Sequence, residues 1–263
     1  MNNRSLQAVA HAARAFLGCV IAAVAIPAAA QQVCSLPHRV TPSPPKTYPD
    51  ANPKAPRDYH VLSVSWSPDH CFNILKKAET DPKILDKHRH QCASANRFEW
   101  VVHGLWPQNM QAKNTSEHPR ACESSESLPA DLLRKHLCTL PGEDLMQNEW
   151  QAHGTCGWSA PSAYFNDIEA IWSQLARPKV EQTVTTQKPA QDTVLTTAGD
   201  IKRAWAKANP DRIKPEMVRV SVSSGNFLKE VMVCMDKAYT PIPCPPGGTP
   251  DQQQIRARLP KMK

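Results

Sequence analysis

Eight cysteines, Cys34, Cys71, Cys92, Cys122, Cys138, Cys156, Cys234 and Cys244, constrain this chain more than any other feature. They are what remains of nine once Cys19 is set aside with an N-terminal leader. Arg4 and Arg14 give that leader a positive start, residues 15–25 form an apolar run, and Ala28-Ala29-Ala30 offers the small residues at which a signal peptidase cuts. A membrane anchor needs roughly 18 or more apolar residues, and Pro27 ends this run too early. Residues 1–30 are therefore read as a signal peptide, with the mature chain starting at Gln31 in a secreted or periplasmic setting and no membrane attachment after cleavage. An even cysteine count in such a compartment implies up to four disulfides. No CxxC pair is present, so the usual spacing of a structural zinc site is missing.

A mature chain of roughly 230 residues suits one sizeable domain with a real core. The 31 basic and 24 acidic residues of the full chain become 29 and 24 once the leader's Arg4 and Arg14 are removed. That mild excess suits a polyanionic substrate without demanding one.

Residues 31–57 contain seven prolines, from Pro37 to Pro56, and read as an extended arm with no helix or strand of its own. The folded domain is expected over residues 58–245. Val61, Ser63 and Ser65 alternate with Leu62, Val64 and Trp66 in a strand that stops at Pro68. A second strand places Phe98, Trp100 and Val102 on one face and Glu99, Val101 and His103 on the other. Residues 81–92, 128–138, 143–154 and 162–175 read as helices. In the last, Phe165, Ile168, Ile171, Trp172 and Leu175 recur at helical spacing and form a core stripe. Residues 179–199 are polar and Thr-rich, a loop with room for a short strand. A helix ends at Asn209-Pro210, and a hairpin turns at Ser224-Gly225-Asn226. Residues 246–263 read as a polar, mobile tail. Helices and strands intermix without strict βαβ alternation, which predicts an α+β fold.

Two strings stand apart, "FEWVVHGLWPQ" at 98–108 and "NEWQAHGTCG" at 148–157. Each carries Glu-Trp followed by His-Gly. Glu149 and His153 are four residues apart, which puts a carboxylate and an imidazole on one face of a helix. Such a pair keeps the ring near the pH where it both takes and gives a proton. On its own the spacing is common by chance and usually marks a solvated helix face.

Taken together, the strings change that balance. His103-Gly104-Leu105-Trp106-Pro107-Gln108 and Glu149-Trp150 with His153-Gly154-Thr155-Cys156 resemble the two active-site segments of the ribonuclease T2 family, secreted acid-base endoribonucleases. "VLSVSWSPDHC" and "EVMVCMDK" are similar to its first and later core strands, so the resemblance spans residues 58–245. It implies a single α+β domain, a central mainly antiparallel sheet flanked by helices and stapled by disulfides. It further implies cleavage of single-stranded RNA by metal-independent transesterification through a 2′,3′-cyclic phosphate, with weak base preference, no cofactor and a monomeric enzyme. His103 and His153 are implied as the proton carriers and Glu149 as their partner at the phosphate. Trp106, Gln108 and Asn148 are implied as residues that meet substrate. The family also implies pairing of Cys122 with Cys156 and of Cys234 with Cys244, leaving Cys71–Cys92 and Cys34–Cys138 as the remaining expectation.

Two positions depart from the family. Many members carry Lys directly before the second histidine, where this chain has Ala152, and many carry His before the Glu, where it has Asn148. Losing a preorganised charge stabiliser commonly costs on the order of 100-fold in rate, so either another cation reaches the site or turnover is slow. One alternative is a secreted RNA-binding protein of the same fold with little turnover. Another is a zinc hydrolase holding its metal with His103, His153 and Glu149, for which the HExxH signature is absent. His88, His90, His118 and His136 lie in polar stretches and read as surface residues. Trp66 reads as core, and Asn114-Thr115-Ser116 is a glycosylation sequon only where the host glycosylates.

Overall fold

In a computed structural model of the chain, residues 34–183 and 192–260 are described. The leader and its cleavage point lie outside them. The first strand, β1 (Tyr59–Trp66), is central: its alternation sends Leu62, Val64 and Trp66 into the core and turns Ser63 to the opposite face. On one side β1 pairs antiparallel with β2 (Trp100–Gln108), and on the other with β5 (Phe227–Met235). With β3 (Thr193–Thr197), β4 (Val218–Ser223) and β6 (Gln254–Arg258) the sheet runs β2-β1-β5-β6-β3, and β4 pairs with β5. All pairings are antiparallel except a single parallel bridge between β5 and β6.

The helices are α1 (Ser67–Ala78), α2 (Arg89–Cys92), α3 (Ala130–His136), α4 (Glu143–Ala152), α5 (Pro161–Ser173) and α6 (Ala198–Ala208). The stripe on α5 is core, with Tyr164, Phe165 and Ile168 fully buried. Trp205 of α6 meets Trp100, which in turn meets Trp66, at ring-centroid separations of 5.3 and 4.8 Å. Edge-to-face and tilted aromatic contacts of this kind contribute about 0.5–1.5 kcal/mol beyond their burial. The buried indole N–H groups of Trp66 and Trp100 donate to the carbonyls of Arg258 and Pro178. The architecture is α+β, a mainly antiparallel sheet flanked by helices, as the sequence implied.

All four disulfides join the expected partners: Cys34–Cys138, Cys71–Cys92, Cys122–Cys156 and Cys234–Cys244. The first ties down the proline-rich arm. Beyond it, Val40 is buried, the Arg134 guanidinium donates to the Pro37 and His38 carbonyls, and Lys46 pairs with Asp144. Among the described residues the arm has no helix or strand; it turns at 49–50 and 53–55, and a bridge joins Asn52 to Arg120.

Three expectations need correction. Residues 246–263 are not simply a tail. Gln254–Arg258 is strand β6, with Ile255 and Ala257 buried and Gln254 and Arg256 exposed. Two small apolar side chains carry little periodic signal, and the hydrogen bonds that make the strand come from β3, sixty residues away in sequence. Residues 81–92 form a 3₁₀ turn (Pro82–His88) followed by the short α2, not one helix; Asp81 caps the turn by accepting from Lys83 N. His136 is fully buried between Glu169 and the Phe165 ring, and His90 is buried against Phe98, so neither is a surface residue.

Among the described residues no helix is long and apolar enough to cross a membrane.

Candidate active site

A break in regular pairing produces the first half of the site. Ser63 of β1 lies opposite Gly104 of β2, but Val64 lies opposite Val102, so His103 has no opposite residue. This is a β-bulge, which re-aims a side chain out of the strict two-residue alternation. The His103 ring is 31% exposed, with Nδ1 3.1 Å from Glu230 Oε2 and Nε2 3.5 Å from Glu149 Oε1. Glu230 projects from β5 on the face opposite the core, almost fully buried. It accepts a 2.9 Å hydrogen bond from the Ser63 hydroxyl, and its other oxygen lies 3.2 Å from Lys229 Nζ.

The second half is the end of a helix. Glu149 sits in the last turn of α4 and is almost fully buried. His153 is the residue at which the backbone leaves the helix, its N–H donating to the Glu149 carbonyl. Its Nε2 lies 3.9 Å from Glu149 Oε2. The Cys122–Cys156 bond holds the following 3₁₀ turn, Gly154–Cys156.

Trp106 joins the halves. Its Nε1 donates a 2.7 Å hydrogen bond to Glu149 Oε2, and its ring packs on both imidazoles, with centroids 5.2 Å from each. The repeated His-Gly now has a physical cause. A side chain at position 104 would collide with the Glu149 carboxylate and the Trp106 indole, and one at 154 would collide with the Trp150 ring. Both glycines permit close approach rather than an unusual backbone.

The charges on the two rings diverge. Burial alone would push the His103 pKa down, but the Glu149 carboxylate, followed by Glu230 through hydrogen bond and charge, raises it above the ordinary imidazole value. For His153, burial pushes the pKa well below that value, and the positive charges of Arg120, His103 and His118 push the same way. Burial raises the Glu149 carboxyl against the pull of His103, Trp106 and Asn148. Burial also works to raise Glu230, but the His103 hydrogen bond and charge, Lys229 and Ser63 hold it at about 2. Surroundings that push two imidazole pKa values apart, one up and one down, suit one ring to act as an acid and the other as a base.

Of the residues singled out from sequence, His103, Glu149, His153 and Trp106 converge. Asn148 joins them by donating from Nδ2 to Glu149 Oε1, while its Oδ1 accepts from the Tyr48 hydroxyl. Gln108 does not join them; it ends β2 opposite Tyr59, its amide turned back to the Pro107 carbonyl. Sequence reasoning missed Glu230, Ser63, Tyr48 and Arg120. The one available signal was an acid that follows Lys229 and precedes five apolar residues in the strand "FLKEVMVCM". Among the described residues no group of three or more His, Cys, Asp or Glu side chains is arranged to hold a metal ion. The Glu149 oxygens are instead taken up by Trp106 and Asn148.

The comparisons with known proteins fall on this region. The Ribonuclease T2 family pattern matches residues 57–244. A probable ribonuclease of Haemophilus influenzae is 32% identical over 194 residues, 73% of this chain and 63% of that protein, so the chain spans less than two thirds of that relative's length. A ribonuclease of Aeromonas hydrophila is 27% identical over 186 residues, 70% of this chain and 74% of that one. An RNase-related protein from Calystegia sepium superposes with a TM-score of 0.54 at 18% identity, covering 77% of this chain and 97% of its own. RNase NT, in a structure with 5′-AMP, gives 0.51 at 20% identity, covering 78% and 100%. At such identities the structural likeness is one of fold, and the residues must carry the rest. The matched region opens just before β1, takes in both His-Gly segments and closes at the last cysteine: this chain belongs to the ribonuclease T2 family.

Proposed function

We propose that the protein is an endoribonuclease that cleaves single-stranded RNA by metal-independent transesterification, with weak preference among bases. The observation that carries this reading is the pair of imidazoles placed on either side of one buried carboxylate, 3.5 and 3.9 Å from its two oxygens, with the pKa of His103 pushed up and that of His153 pushed down. His153, kept neutral, takes the proton of the ribose 2′-hydroxyl. The 2′-oxygen then forms a bond to phosphorus as the bond from phosphorus to the 5′-oxygen breaks. His103, kept charged, gives its proton to that departing oxygen. Its Nδ1 is occupied by Glu230, so Nε2 is the atom that donates. The products are a 2′,3′-cyclic phosphate and a 5′-hydroxyl end. With the proton roles reversed, water opens the ring. Glu149 orients both imidazoles and is itself fixed by Trp106 and Asn148.

Because the nucleophile belongs to the substrate, DNA is not cut, and stacked duplex RNA reaches in-line geometry poorly. The eight paired cysteines and the leader pattern support a secreted or periplasmic enzyme, working as a monomer. The test compares an RNA oligomer with a copy carrying one 2′-deoxy residue at the preferred cut, with and without EDTA. Cleavage is expected at the ribose and not at the deoxyribose, unchanged by the chelator. Cutting at the deoxy position, or activity lost to EDTA, would falsify this reading. Binding of RNA without cleavage would leave a binding module of the same fold.

A further inference from the structure

Attack of the 2′-oxygen places a second negative charge on a phosphate that already carries one, and such charge is met most effectively by a preorganised cation. This inference rests on the ribonuclease reading above. His103 spends its charge on the leaving oxygen, and Ala152, directly before His153, is buried and uncharged. A cation does reach this side of the site from a different segment. Residues 120–122 are sewn to the second histidine's turn: Ala121 N donates to the Ala152 carbonyl at 2.9 Å, Cys122 N donates to Thr155 Oγ1 at 3.2 Å, and Cys122 is bonded to Cys156. Ala121 has a φ of 48°, a left-handed conformation that an alanine adopts only when its surroundings hold it there.

The Arg120 side chain is 28% exposed and is gripped by the proline-rich arm. Its Nε lies 2.8 Å from Asp50 Oδ2, and its Cζ lies 5.0 Å from the centre of the Tyr48 ring. Tyr48 in turn donates to Asn148, and Asn148 donates to Glu149. Among the described residues the guanidinium makes no well-aligned side-chain hydrogen bond: Nε is buried and meets Asp50 as an ion pair only, and the two terminal nitrogens have no hydrogen-bond partner. They form the fork that binds two phosphate oxygens at once. We propose that Arg120, held by Asp50 and Tyr48 of the N-terminal arm, binds the scissile phosphate and takes up the charge that develops on it in the transition state. The field of Arg120 already reaches both partners, lowering the pKa of His153 and opposing the rise in Glu149. The arm thereby becomes part of the active site.

The test uses the full mature, disulfide-bonded chain, with kcat and KM measured on an RNA oligomer for the parent, Arg120→Gln and Arg120→Lys. Arg120→Gln is expected to lower kcat by about 100-fold or more, the loss typical of one preorganised charge stabiliser, with a smaller change in KM. Arg120→Lys should recover most of that loss, and added guanidinium ion should partly rescue Arg120→Gln. Inhibition by inorganic phosphate, which needs no turnover, should weaken about tenfold in Arg120→Gln, a loss of about 1.4 kcal/mol in binding. The inference is overturned if Arg120→Gln stays within threefold of a parent that cuts RNA. It is equally overturned if the loss comes with a lowered Tm and neither Lys nor guanidinium restores activity, since that is the mark of a purely structural ion pair. A parent inert on RNA would bring down the ribonuclease reading, and this inference with it.

Discussion

His103 and His153 are both followed by glycine and both face Glu149, yet the two halves of the site are built differently. His103 stands on a sheet, at a bulge, and two carboxylates reach it from α4 and β5. His153 stands at the end of a helix, more deeply buried, with the Glu149 carboxylate 3.9 Å away. One environment favours the imidazolium and the other the neutral ring, and in the mechanism proposed above identical side chains divide the labour of a single proton relay. Local sequence supplies the type of residue, and surroundings drawn from distant segments decide its charge.

Deleting either ring is the strongest way to break this comparison. His103→Ala and His153→Ala should each lower kcat by at least about 100-fold, the lower end expected for a lost general acid or base. The fold should survive, because both rings line the site and not the core. A variant keeping more than a tenth of the parent activity would show that its ring carries no proton.

Glu230→Gln sharpens the comparison, because it acts on one half only. His103 must be protonated to serve as acid, so activity falls as pH rises through its raised pKa. His153 must be neutral, so activity falls as pH drops through its lowered pKa. The profile of kcat/KM is therefore a bell whose plateau covers mildly acid to neutral pH. Removing the Glu230 charge should move the alkaline limb toward lower pH by about one unit, worth about 1.4 kcal/mol, and leave the acid limb in place. Activity near pH 7 would fall several-fold as a result. If the acid limb moves instead, the assignment of acid and base is reversed.

Removing the Cys122–Cys156 bond, with both residues replaced by alanine, loosens the other half. Closing a loop of 34 residues contributes about 3–4 kcal/mol, or roughly 10 °C in Tm for a chain of this size. Among surviving folded molecules, turnover should drop only modestly, through a misplaced His153 or Arg120. Calorimetry showing an unchanged Tm would mean that the bond is not a staple of this region.

Short-range pattern made much of the molecule legible. Strands β1, β2, β4 and β5 and helices α3 to α6 follow from periodicity and from their turn or proline boundaries. Strand β6 did not, since its evidence lies in β3 rather than in its own five residues. The convergence of His103, Glu149 and His153 was read from two strings and the family they resemble, because each string is nearly contiguous. Glu230 escaped because it is 127 residues from the ring it touches, and its neighbours give no local reason for an acid to be buried. Arg120 escaped for the same kind of reason. The role proposed for it depends on Tyr48 and Asp50, which belong to an arm whose composition speaks only of extended chain.

By itself, then, the sequence determined the number of staples, the identity of the elements with strong periodicity and the two segments that carry the histidines. The tertiary structure alone decided where the bulge falls, in which direction each ring's pKa is pushed, and which second carboxylate stands beside His103. The physical reason is range. Hydrogen-bonded periodicity is written in neighbours along the chain, whereas burial and electrostatics depend on neighbours in space, and folding brings those together from segments that carry no mark of one another.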